Sequence, residues 1–333
     1  MSTALVVTTI QAPNEVMQAL AQACVASNSA FYIMGDRKSP PQYDLPGTSY
    51  FSLEDQHAHF GAFSKQLPVG HYVRKNLGYL AALDGGAQWI VETDDDNFPL
   101  PGFMTTPAPL RARRLKSATS WLNVYDHFAP SQSVWPRGYP LEALLPGQAP
   151  AISTHWVDES PLLVQGLADE NPDVDAVYRL TRTLPVSFDR SAPPATLEIG
   201  SWCPFNSQNT WWHRSIFALM YLPSHCSFRM TDIWRSFVAQ RCLWAMGHRV
   251  LFIAPTVRQE RNEHNLLRDF ADEVSGYLKN EQIRCTLDAC TLTGVPEDDL
   301  LICYEALTAA TIFPADELPL VRAWIDELKA RRS

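Results

Sequence analysis

The first hundred residues alternate between two patterns. Short β-branched apolar runs take turns with stretches whose apolar residues recur every three or four positions. "ALVVTTI" (4–10) reads as a strand, and Pro13 and Asn14 then open a helix with Val16, Met17, Leu20 and Cys24 on one face. "AFYIMGD" (30–36) is a second strand closed by the turn-rich "RKSPPQYDLPG", and "TSYFSL" (48–53) is a short third. "HYVRKNLGYLAALDGG" (71–86) predicts a helix stopped by glycines, which feeds the strand "QWIVETD" (88–94). Strands separated by helices imply a parallel, doubly wound α/β sheet. Such sheets bind ligands at the carboxyl ends of their strands. Thr8, Thr9, Asp36 and Asp94–Asp96 therefore belong to one rim.

Residues 99 to 230 are proline-rich and irregular, with aromatic clusters at "SWLNVYDHF", "SVWPRGYP" and "FNSQNTWWH" that suggest functional loops. "TDIWRSFVAQRCLWAMG" (231–247) predicts a helix capped by Thr231 and ended by Gly247, and "RVLFIAP" (249–255) a strand. From about 265 the pattern is helical: Leu267, Phe270, Val274 and Leu278 form one stripe, and Val321, Trp324, Ile325 and Leu328 another. A chain that is 46% hydrophobic and 19% charged is not disordered, and a net charge of −9 spread along it argues against wrapping nucleic acid. The seven cysteines show neither CxxC pairs nor zinc spacing, so they read as reduced packing thiols of a cytoplasmic protein. No run approaches the roughly 18 apolar residues of a membrane helix, and the N-terminus lacks the basic start of a signal peptide. The expectation is no transmembrane segment, with peripheral contact at an inner membrane left open.

The triple aspartate poses the main chemical question. Hard cations such as Mn²⁺ or Mg²⁺ prefer carboxylate oxygens. In an extended segment Asp94 and Asp96 would point the same way, with Asp95 turned aside; a solvated acidic turn is the alternative. Arg74, Lys75 and Asn76 supply a cationic helix start that could hold a diphosphate, orient the aspartates electrostatically, or be an ordinary solvated face. Asp36 could accept from a ribose or base, or form a turn, beside Lys38. Asp232, in the first turn of its helix, is favoured in the ionised form, which suits a base or a hydroxyl acceptor better than a general acid. His264 sits among Arg and Asn and could ligate a metal. Arg179 and Arg182, with Asn206, Gln208, Asn209, Trp211 and Trp212, could line a carbohydrate site or serve as core aromatics and loop amides.

Several blocks occur together in one order: "MGDRKSP", "RKNLGYLAAL", "WIVETDDDNFP", "WLNVYDHF", "WPRGYPL", "VQGLADENPDVDAVYRLTR", "PFNSQNTWW" and "FRMTDIWRSFVAQRCLWAMG". Over about residues 4 to 275 the chain resembles the STELLO-type glycosyltransferases, and it is more distantly similar to the reversibly glycosylated polypeptides, the UDP-arabinopyranose mutases. The resemblance implies a GT-A fold, a Rossmann-like, mostly parallel sheet flanked by helices with a helical C-terminal extension. It divides the chain into residues 1–265, with a nucleotide-sugar half (1–100) and an acceptor half (101–265), and helical residues 266–333. It further implies a nucleoside-diphosphate sugar donor, most simply UDP-linked, a carbohydrate or glycolipid acceptor, and Mn²⁺ or Mg²⁺. Carried over by position, Asp94 and Asp96 become metal ligands, with His264 as a third. Thr8, Thr9, Asp36, Lys38, Asn76, Asp94 and Asp95 fall on the donor, and Arg74 and Asp232 take catalytic roles. A bacterial surface-polysaccharide pathway is the expected setting. A mutase or self-glycosylating protein, and a non-catalytic sugar-nucleotide-binding protein, are the rival readings.

Overall fold

The computed structural model describes residues 2–145, 152–260 and 265–331. The strands among these residues join in one sheet: β1 (Thr3–Thr8), β2 (Ala30–Met34), β3 (Ser49–Phe51), β4 (Trp89–Thr93), β5 (Asn97–Pro99), β6 (Leu110–Ser117), β7 (Ile152–Glu159), β8 (Leu163–Asp169), β9 (Ala195–Leu197), β10 (Asn209–His213) and β11 (Val250–Gln259). Their order is β3-β2-β1-β4-β10-β8-β11-β9-β6-β7, with β5 pairing β11. The helices are α1 (Glu15–Ala26), α2 (Leu53–Gln66), α3 (Lys75–Asp84), α4 (Tyr125–Phe128), α5 (Ala176–Thr181), α6 (Thr231–Ala245), α7 (Leu266–Asp288), α8 (Pro296–Ala309) and α9 (Glu317–Ala330).

The predicted rim rests on the parallel run β3-β2-β1-β4. Alternate residues of these strands enter two cores, which is why their sequences are apolar throughout. Leu5, Val7, Ile33 and Val91 join Val16, Met17 and Leu20 of α1 on one face. Ala4, Val6, Met34 and Ile90 join Leu77 and Leu80 of α3 on the other. Beyond β4 the sheet is mixed, because β10 runs antiparallel between β4 and β8. Buried Glu92 of β4 is gripped by Arg235 of α6 (2.9 and 2.6 Å), Tyr79 and Trp212. That ion pair fixes the start of α6 relative to the carboxyl end of β4.

Three local expectations need correction. Thr231 does not cap α6: a 3-10 turn, Phe228–Met230, precedes it, and its hydroxyl donates to Ser227 O at 3.3 Å. The stripe of α7 faces out, with Leu267 and Leu278 71% and 77% exposed, while Asp269, Glu273, Gly276 and Asn280 are buried. The aromatic clusters of the middle region are core, since Trp121, Tyr125, Phe128, Trp135 and Tyr139 all lie in the main hydrophobic cluster. Helix α2 carries no strong apolar stripe. Its sequence signal is the capping box, in which Ser52 Oγ accepts from Asp55 N and the Asp55 carboxylate accepts from Ser52 N. All seven cysteines are free thiols, and no helix among the described residues is long and apolar enough to cross a membrane.

Candidate active site

The carboxyl ends of β1, β2 and β4 open into a cavity of about 590 Å³, within the roughly 300–1,000 Å³ of small-molecule sites. Its opposite wall comes from the loops bearing Arg137, Asp173 and Ser207, from Arg179 of α5, and from the turn and helix bearing Phe228 and Asp232.

All three aspartates line this cavity. The segment is a turn, with Asn97 N donating to Asp94 O at 3.4 Å, so the alternation expected of an extended chain does not apply. Asp94 Oδ1 accepts from Lys75 Nζ at 2.9 Å, and its side chain remains 41% exposed on the cavity floor. Asp95 Oδ2 accepts from the Thr9 hydroxyl, and Asn14 Nδ2 holds the Asp95 carbonyl at 3.0 Å. Asp96 Oδ2 accepts from Gln259 Nε2 at 3.0 Å, on the far side of the β5–β11 pairing. Burial raises the pKa of both Asp94 and Asp95, while Lys75 and the Thr9 hydroxyl respectively oppose that rise. Asp94 and Asp96 offer hard oxygen donors, but no three metal-ligating side chains converge among the described residues. His264 lies outside the described residues.

The three residues at the start of α3 do three different jobs. Arg74 is fully buried: Nε donates to Gln56 Oε1 at 2.6 Å and Nη1 to Leu67 O at 3.2 Å. Its Nη2 has no hydrogen-bond partner among the described residues, and the residue lines the cavity. Lys75 reaches Thr93 O and Asp94 from behind the rim. Asn76 is turned away and clamps both backbone atoms of Leu222 at 2.9 Å.

Asp232 faces the cavity from α6 and is 4% exposed. Arg137 donates to both its oxygens at 3.1 Å, and Ser207 adds its amide at 3.1 Å and its hydroxyl at 3.3 Å. Burial pushes this carboxyl up, but Arg137, Arg235 and the Ser207 amide outweigh it and hold the pKa well below the usual carboxylate range. The guanidinium of Arg137 is the largest of the influences that lower it. The sequence reading missed Arg137, and the available signal was its neighbour. Gly138 has φ +87°, and a Cβ there would come within 2.4 Å of Ile233 Cγ2, so only glycine lets this loop lie on the first turn of α6. Gly138→Ala should cost about 1–3 kcal/mol through strain and overpacking; a shift in denaturant midpoint at unchanged slope measures it.

Residues 229–332, which include Asp232, match the family model for STELLO glycosyltransferases. The probable glycosyltransferase STELLO1 of Arabidopsis thaliana is 30% identical over 243 residues, 68% of this chain and 32% of that protein. STELLO2 of the same plant, also described as a probable glycosyltransferase, is 31% identical over 244 residues with the same coverage. The chain belongs to the STELLO glycosyltransferase family. It spans about a third of the length of these relatives. The family model begins at Arg229, so that match covers the α6 wall and the C-terminal helices of this STELLO-family chain but not its aspartate triplet.

Thr8 and exposed Lys38 line the cavity of this STELLO-family chain, as does Thr9. Asp36 is there too, but its carboxylate accepts from the amides of Arg37 (2.6 Å), Gly70 (2.8 Å) and His71 (3.0 Å), binding the β2 end to the loop before α3. Of the amides and tryptophans, only Gln208 reaches the cavity. Asn206 and Asn209 tie β8, β10 and β11 together, and Trp211 and Trp212 are core. Arg179 lines the cavity, whereas Arg182 is exposed and does not. Phe228, 49% exposed, and Tyr72 beside it (ring centroids 4.7 Å apart) are aromatics that line the cavity.

Proposed function

We propose that this chain transfers a sugar from a nucleoside-diphosphate sugar, UDP-linked, to a hydroxyl of a carbohydrate or glycolipid acceptor. The observation that carries this reading is the convergence of Asp94, Asp95 and Asp96 with Arg74, whose Nη2 is unpartnered, on one cavity at the ends of parallel strands. A Mn²⁺ or Mg²⁺ ion fits Asp94 and Asp96, because such cations commonly take one or two carboxylates and complete their shells with water and substrate phosphates. When bound, it would neutralise charge building up on the departing diphosphate. Arg74, which lines the cavity, adds positive charge behind the phosphate side of the site. Asp232 stays ionised and, with its strongly lowered pKa, is a poor proton acceptor; it orients the acceptor hydroxyl or stabilises positive charge at the sugar. Thr8, Thr9 and Lys38 line the donor side. A surface-polysaccharide pathway and a cytoplasmic site belong to the same proposal.

A thermal-shift panel of nucleotide sugars with and without Mn²⁺ tests it. A ligand at 100 times its Kd stabilises by about 2.7 kcal/mol. A UDP-sugar with Mn²⁺ should raise the melting temperature of the wild type, and Asp94→Ala and Asp96→Ala should abolish the response. No response in the wild type, or an unchanged one in both variants, removes the site assignment.

A further inference from the structure

Lys75 is a lysine with its side chain fully buried, and it is the first residue of α3, which continues directly from the 3-10 turn Tyr72–Arg74. Burial works against a cation there. The adjacent Arg74 adds a second buried cation. Lys75 Nζ donates to two oxygens, Thr93 O and Asp94 Oδ1, each at 2.9 Å. It does not line the cavity, whereas Asp94 does. Asp94 therefore has two faces: one oxygen is bound from behind by a built-in cation, and the rest of the carboxylate opens to the ligand space.

We propose that Lys75 is an internal counter-ion that makes cation binding at Asp94 conditional on a diphosphate. The inference rests on the donor-site reading above. With Lys75 in place, the Asp94–Lys75 pair is already neutral. A bare dication approaching the open face meets the positive charge of Lys75 and Arg74 through the protein, where charges interact more strongly than in water. A cation that arrives paired with a diphosphate brings compensating negative charge, for which the same two cations are favourable. Lys75 is thus a positioning residue. It holds the Asp94 carboxylate in a fixed orientation through Thr93 O and sets the order in which charge enters the site. The cation and the diphosphate enter as a unit or with the diphosphate first.

Electron paramagnetic resonance of free Mn²⁺ reads the binding without any turnover. For the wild type, Mn²⁺ alone should bind weakly, and inorganic pyrophosphate or UDP should tighten it at least tenfold. In Lys75→Gln, which keeps a hydrogen-bond donor and loses the charge, Mn²⁺ alone should bind about tenfold or more tighter than in the wild type. A lysine with a merely structural role predicts the opposite, since loosening Asp94 can only weaken binding. Lys75→Met serves as a second neutral variant, with thermal melting confirming a folded protein. Equal Mn²⁺ affinity in the wild type with and without pyrophosphate would overturn the proposal, as would no gain in either neutral variant. Failure of UDP to act where pyrophosphate does would count against the uridine-nucleotide reading alone.

Discussion

Arg137→Met is expected to cost about 3–5 kcal/mol of stability, because it takes the paired guanidinium away from buried Asp232 and from Asp173. Arg137 is 5% exposed and grips Asp173 with Nε and Nη2 at 2.7 Å and Asp232 with Nη1 and Nη2 at 3.1 Å. Methionine fills a similar volume but donates to neither acid, leaving Asp232 the Ser207 amide and hydroxyl and Asp173 the more distant Arg229 (4.0 Å). The pH dependence separates this mechanism from a packing defect. In the wild type the Asp232 pKa is strongly lowered. Its contribution is therefore fully present above the unfolded carboxylate value near 3.9 and is lost only as pH falls through the lower folded value. In Arg137→Met, burial dominates and the folded pKa rises above the unfolded one, so protonation on acidification restores stability. Denaturant titrations at pH 7 and pH 5 should thus show the gap between variant and wild type narrowing toward pH 5. Arg137→Met/Asp232→Asn should be more stable than Arg137→Met alone. A constant gap, or one below about 1 kcal/mol, would mean the network does not bear on stability.

The rim was legible because its signals are local. β-Branched runs and three-to-four-residue repeats mark β1, α1, β2, α3 and β4 without reference to the rest of the chain, and the parallel rule then brings Thr9, Asp36 and Asp94 together. Sequence patterning failed where polar groups are satisfied across long separations. Helix α7 buries Glu273 because it accepts from Arg229 and Ala176 N, and Asn280 because it accepts from Trp234 and donates to Gly138 O. A periodicity argument assigns such residues to solvent and sends Leu267 and Leu278 inward, the reverse of what is found. The same limit hid Arg137, whose partner Asp232 lies 95 residues away. Asn76 failed differently. Its place beside Arg74 and Lys75 suggested a ligand role, but each successive helix residue points about 100° away from the last, and this one meets Leu222.

Asp94→Asn is expected to lower the transfer rate by about 10²–10³-fold, the scale of losing roughly 3–4 kcal/mol of transition-state stabilisation. The substitution keeps the shape of the side chain and removes the charge that faces the cavity. Saturating Mn²⁺ should not restore the rate, and the melting-temperature response to a UDP-sugar with Mn²⁺ should be lost with it. Asp95→Asn should cost less, because one Asp95 oxygen is already taken by the Thr9 hydroxyl and its carbonyl by Asn14. Asp94→Asn also leaves Lys75 buried beside a neutral amide, so part of any loss could come from a damaged fold. The double variant Asp94→Asn/Lys75→Gln separates the two effects. Removing the orphaned cation should return much of the stability, since two neutral partners replace a broken ion pair. The transfer rate should stay low, because the carboxylate that would face the diphosphate is still missing. Recovery of both together would assign Asp94 to the architecture of the β4 end rather than to the chemistry.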